Sequence, residues 1–145
     1  MKTFECQHCR QLLYFENTSC VSCGRRLGYL PELARLSALE PDPASADGRP
    51  WQALAEPGTR WRFCANAAYD AGNWLLPADA PEEALCRACR HNRMVPDLGD
   101  AQNRLRWQKL ERAKHHLFYS LLRFRLPLAT RDEDPERGLA FDFLA

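Results

Sequence analysis

The sequence predicts a small α+β protein stabilised by metal, with two cysteine-bearing modules followed by a long C-terminal helix. Three observations predict it. Six of the seven cysteines fall into Cys-x-x-Cys pairs: Cys6/Cys9, Cys20/Cys23 and Cys86/Cys89. The segments between 51 and 99 are short and interrupted by Pro57, Gly58, Gly72, Pro77 and Pro81, which favours loops wrapped around a fixed point over a deep core. From about 100 to 126 apolar residues recur every three to five positions with no glycine or proline between them.

A chain of 145 residues is one domain or two very small ones. With 46% hydrophobic and 27% charged residues it reads as an ordinary folded protein and not a disordered tail. The 20 Lys and Arg against 19 Asp and Glu leave a net charge of +1, so no overall field draws the molecule to nucleic acid or membrane. No apolar run approaches the roughly 20 residues that cross a bilayer. Met1-Lys2-Thr3-Phe4-Glu5-Cys6 offers no apolar stretch for a signal peptide. The expected location is therefore cytoplasmic, with no membrane partner. The charge is uneven, because residues 86–125 carry 10 basic and 3 acidic groups. Such a block is either a docking face for an acidic partner or, more simply, a solvated helix face.

Taken in order, residues 1–30 read as two cysteine knuckles joined by a short hairpin. Leu12 to Phe15 supply strand formers and Glu16-Asn17-Thr18-Ser19 supply turn chemistry. Pro31 opens an expected short helix to Leu39, with Leu33, Leu36 and Leu39 at helical spacing. Residues 40–50, rich in Pro, Asp and Ala, read as an irregular linker, so that 31–50 separates the first module from a second one at 51–99. In residues 100–145, Asp97 or Asp100 can cap the long helix and Pro127 stops it. Its expected core stripe is Leu105, Leu110, Ala113, Leu117, Leu121 and Phe124. Residues 138–145 read as a half-buried strand without a hairpin partner, as in a chain cut from something longer.

The cysteine spacing carries the chemistry. In a reducing compartment clustered cysteines point to metal or redox roles. Cys6-x2-Cys9 and Cys20-x2-Cys23 can face each other and surround one zinc ion with four thiolates, at Zn–S about 2.3 Å. This is the pattern of a zinc ribbon. Gly24 after Cys23 suits the positive φ that such a turn needs, whereas Arg10 after Cys9 is a less comfortable residue there. About 25 residues bury too little apolar surface to fold unaided, and zinc binding worth roughly 10–16 kcal/mol supplies the difference. Four thiolates leave no open coordination position, so the expected ion is structural. A thioredoxin-like redox pair would need a single Cys-x-x-Cys in a βαβ unit, and none is present. Iron would use the same ligands, and the sequence does not choose between the two metals. His8, inside the first knuckle, is expected to face solvent.

Cys64, Cys86 and Cys89 offer three further sulfurs. His91, two residues past the third knuckle, is the candidate fourth ligand of a second zinc, although it must turn back to reach the same ion. The other reading leaves the three cysteines as buried thiols.

The segments Phe4-Glu5-Cys6-Gln7-His8-Cys9, Leu13-Tyr14-Phe15-Glu16-Asn17, Cys64-Ala65-Asn66-Ala67, Asn73-Trp74-Leu75 and Leu85-Cys86-x2-Cys89-Arg90-x-Asn92-Arg93 resemble bacterial putative zinc-binding metallopeptidases with an N-terminal zinc ribbon. The likeness covers essentially the whole chain, ending at Gly138-Leu139-Ala140-Phe141-Asp142-Phe143-Leu144. That family usually carries glycine where Arg10 stands and cysteine where Gly72 stands, and the second departure removes what would be the fourth thiolate beside Cys64, Cys86 and Cys89. The resemblance implies a peptidase part, with a zincin-like H-E-x-x-H helix, beyond residue 145. No such motif occurs here. The neighbouring His115 and His116 leave a helix about 100° apart and are expected to be surface or partly buried helix residues.

Two functions follow as expectations. The first is a structural zinc-binding module that packs against an absent C-terminal catalytic domain or another protein. The second is a nucleic-acid-binding module using Arg87, Arg90, Arg93, Arg104, Arg106, Lys109, Arg112 and Lys114 of the basic 86–125 segment, interleaved with Trp107, His115 and His116. A stand-alone peptidase is not expected, for want of catalytic ligands.

Overall fold

The computed structural model describes residues 2–44 and 50–144, so part of the expected linker, 45–49, lies outside the described residues. The chain divides into two compact units: Met1–Ala65 with Asn73–Ala84, and Asn66–Gly72 with Leu85–Ala145.

In the first unit, β1 (Phe4–Glu5) and β2 (Leu12–Leu13) pair antiparallel, Phe4 opposite Leu13. This hairpin carries the first knuckle as its turn, where the sequence predicts a hairpin between the two knuckles. Then β3 (Leu27–Leu30), β4 (Arg35–Pro41), β5 (Trp51–Ala53), β6 (Glu56–Phe63) and β7 (Leu75–Pro77) form one five-stranded antiparallel sheet in sequence order. Four reversals leave β3 and β7 running the same way. The sheet curls until they meet, through a parallel bridge between Tyr29 and Trp74 and a bond from Tyr29 N–H to Asn73 O of 2.8 Å. Gly28 permits the approach, since a Cβ there would lie 2.6 Å from Leu75 Cδ1. Leu30, Leu39, Ala53, Trp61 and Leu75 form the core inside this curl. Phe15 and Tyr29 pack edge to face with centroids 4.9 Å apart.

The structure corrects two expectations here. Residues 31–39 are not a helix: Pro31–Ala34 make a tight turn and Arg35–Pro41 is a strand. The three leucines fit either period. An isolated nine-residue helix is marginal in water, whereas β4 has both edges paired, by β3 and β5, and buries Leu36, Ala38 and Leu39. Residues 51–77 also carry more than loops, because their short segments complete the sheet begun at Leu27. β5 and β7, of three residues each, are too brief to announce themselves, and pairing supplies what length does not.

In the second unit, β8 (Asn92–Met94) pairs in parallel with β9 (Phe141–Asp142), and α1 spans Ala101–Arg123. Asp100 caps α1, its Oδ1 accepting from Asn103 N–H at 2.9 Å, and thereby satisfies one orphan donor. The helix buries Trp107, Glu111, Lys114, His115, Phe118 and Tyr119. This differs from the expected stripe, since Leu105, Leu110, Leu117 and Phe124 are exposed. The buried face is led by aromatic and charged residues, which a count of leucines does not find.

Candidate metal centres

The two N-terminal knuckles are near copies of one another. Arg10 N–H donates to Cys6 O and Gly24 N–H to Cys20 O, each at 2.8 Å. Cys6 N–H donates to Gln11 O at 2.9 Å and Cys20 N–H to Arg25 O at 2.8 Å. Closing each turn requires a left-handed residue after its second cysteine: Arg10 at φ 64° and Gly24 at φ 73°. Gln7 ties the first knuckle to the sheet, its Oε1 accepting from Ala38 N–H at 2.7 Å and its Nε2 donating to Leu36 O at 3.1 Å.

This backbone brings all four sulfurs within 4.8 Å of one another. Cys6 Sγ lies 3.8 Å from Cys23 Sγ, and Cys9 Sγ lies 3.5 Å from Cys20 Sγ. Zn–S bonds of 2.3 Å at tetrahedral angles make each sulfur–sulfur edge about 3.8 Å, so the set has the size of a zinc tetrathiolate. Its electrostatics suit an anionic ligand set. The Gln11 backbone N–H leads in holding Cys9 down from 9.0 to about 6. The Arg25 backbone N–H lowers Cys23 in the same way. Burial pushes Cys6 up to about 11, so zinc must displace a proton that this thiol holds firmly.

Cys64, Cys86 and Cys89 form the second group of thiols that could hold zinc, and all three are buried. Cys64 directly follows β6, with its N–H on Trp74 O at 3.1 Å. In the third knuckle Arg90 N–H donates to Cys86 O at 3.0 Å, the same closure seen at Cys6 and Cys20. The structure differs from expectation at His91. A 3-10 turn, Cys89–His91, carries the ring away to pack on Phe118 at 4.6 Å between centroids, and Nε2 lies 3.1 Å from Leu128 O. Burial lowers the pKa of His91, which favours the neutral ring.

A different histidine reaches the third knuckle. His115 Nε2 lies 3.8 Å from Cys86 Sγ and 3.8 Å from Cys89 Sγ. Its Nδ1 lies 2.7 Å from Glu111 O, one helical turn back. The Glu111 carboxylate is buried too: Oε2 is 3.6 Å from Cys89 Sγ, and Oε1 accepts from Asn92 Nδ2 at 2.6 Å and from Lys114 Nζ at 2.8 Å. Neither Glu111 nor His115 stands out as a ligand in the sequence, although their i, i+4 spacing on a face with Trp107 and Phe118 is a signal that could have found them.

Paired knuckles of this size define a class, proteins whose cysteines hold zinc in place of a large core, and the chain belongs to the zinc-ribbon domain family, which matches residues 3–100. The family described as "Putative zinc-binding metallo-peptidase" matches residues 103–145. Among curated relatives, "Uncharacterized protein Rv2568c" of Mycobacterium tuberculosis is 34% identical over 145 residues, covering 100% of this chain and 38% of the relative. "Uncharacterized protein Mb2598c" of Mycobacterium bovis shows the same identity and coverage. The chain thus spans 38% of the length of the curated relatives it matches. No solved structure matches it closely enough to count as a relative. Zinc is the metal that the family and the thiol sets specify, with two groups of cysteines able to hold it. No helix among the described residues is long and apolar enough to cross a membrane.

Proposed function

We propose that this chain is a non-catalytic, zinc-stabilised module of a zinc metallopeptidase. The observation that carries the reading is the closed thiol set at Cys6, Cys9, Cys20 and Cys23, whose four sulfurs occupy every position of a tetrahedral ion. A catalytic zinc keeps one position for water and needs a general base beside it. The sequence also lacks H-E-x-x-H. The module's work is to fold around its metal and present the exposed apolar side of α1 to a peptidase segment or another protein.

Nucleic-acid binding by the basic 86–125 segment is the weaker reading. Arg90 engages Glu133 at 3.2 Å, and Arg93 Nε donates to Asp142 Oδ1 at 2.9 Å, so these cations already have carboxylate partners.

Elemental analysis and a peptide-cleavage assay on the purified chain test the proposal. Zinc is expected without hydrolysis, and Cys20→Ser should lose one zinc per chain and unfold the first unit. Chelator-sensitive peptide cleavage by this chain would overturn it.

A further inference from the structure

We infer that His115 is the nitrogen ligand of a second zinc held at the third knuckle, beside the thiols of Cys86 and Cys89. Three independent observations meet on this side chain.

The first is distance. A tetrahedral zinc with Zn–S 2.3 Å and Zn–N about 2.05 Å separates sulfur from nitrogen by about 3.6 Å. His115 Nε2 stands 3.8 Å from both knuckle sulfurs. Either distance alone fits an S–H···N hydrogen bond, but a single Nε2 lone pair set equally from two sulfurs fits an ion shared with both.

The second is the tautomer. His115 Nδ1, 2.7 Å from the Glu111 carbonyl, can satisfy that oxygen only as an N–H donor. A neutral ring with its proton on Nδ1 leaves the Nε2 lone pair directed at the sulfurs. Metal-bound histidines are commonly oriented in this way, by donating from the other nitrogen. When zinc binds, the knuckle thiols release their protons to water and the imidazole binds without losing one.

The third is space. Gly72 leaves room for the ring: a Cβ at position 72 would lie 2.9 Å from His115 Cε1 and 3.0 Å from Nε2. The glycine and the histidine are therefore coupled, because any side chain at 72 would displace the ligand. His91 is no competitor: its Nε2 lies on Leu128 O, and neither ring nitrogen joins a group of thiols at ligand spacing among the described residues.

This deepens the reading of the chain as a zinc module and rests on it. Cadmium-113 NMR of the unmutated, cadmium-loaded protein tests it without a substitution. Scalar coupling from one cadmium to the ring protons of His115 is expected; coupling to His91 instead, or to no histidine, overturns the inference. In zinc-loaded variants, His115→Ala should bind one zinc where the parent binds two, while His115→Cys and His91→Ala should keep both. Gly72→Cys alone should gain nothing, because its Cβ meets the ring, whereas Gly72→Cys with His115→Ala should recover the second zinc. Two zinc ions in His115→Ala would refute the assignment. A folded, metal-free parent would refute the broader zinc reading as well, so the two failures are distinguishable.

Discussion

Arg10 sits where backbone geometry and side-chain chemistry disagree. Its φ of 64° is forced by the closure of the first knuckle, and the matching position in the second knuckle is Gly24. An L-residue with a Cβ in this region costs about 1–2 kcal/mol, although glycine's freer unfolded chain offsets part of the gain on replacement. Arg10→Gly should therefore raise the stability of the zinc-loaded protein by about 1 kcal/mol, read as a higher thermal midpoint. Gly24→Ala should lower it by a comparable amount. Unchanged midpoints in both would mean that the knuckles do not need a left-handed residue. Residue chemistry of this kind was legible beforehand: the cysteine spacing and the tension at Arg10 can be written down from the chain alone. His115 was only partly so: its i, i+4 spacing with Glu111 marks a shared helix face, but does not say that a knuckle 26 to 29 residues earlier meets that face.

At the level of elements, α1 is the informative case. Its ends follow from local chemistry, Asp100 at the cap and the Arg123–Pro127 exit. Its buried face does not. Leu110 is 51% exposed, Leu117 45% and Phe124 75%, while Glu111 and Lys114 are buried as an ion pair at 2.8 Å. Lys114 Nζ also lies 5.6 Å and 5.4 Å from the ring centroids of Phe141 and Phe143, which places the end of the chain over it. A leucine stripe normally marks the core because burying each side chain gains roughly 1.5–3 kcal/mol. Here the aromatic rings of Trp107 and Phe118 take that role. Leu110→Lys with Leu117→Lys should change stability by no more than about 0.5 kcal/mol per site, keep the zinc content, and reduce binding of an apolar dye. A loss of several kcal/mol would show that these leucines are core. β4 teaches the same lesson, since only neighbours on both edges decide between helix and strand for Arg35–Pro41.

Over the whole molecule, metal and fold are one equilibrium. Zinc holds the native chain and competes with protons for every thiol. Cys9 is held down to about 6, led by the Gln11 N–H. Its folded pKa lies below its unfolded one, so the stabilisation it provides is complete above the unfolded value and is lost as pH falls through about 6. Acid titration should release zinc from the first unit as protons take over its thiolates, and a strong chelator at neutral pH should unfold the same unit. Circular dichroism with a zinc-sensitive dye reads both. Full structure retained after metal removal would show that the curled sheet of β3 to β7 stands without its ion.

The sequence by itself determined that zinc-binding cysteines come in knuckles, which cysteines gather as sets able to hold zinc, and about where one long helix starts and stops. Those features depend on spacing and capping within a few residues, and such physics is local. The tertiary structure alone decided that five strands close into one sheet, that α1 buries charge and leaves leucine outside, and that His115 and Gly72 share one space. Each of these depends on groups far apart in the chain arriving together, where packing and pairing outweigh any preference a short segment carries.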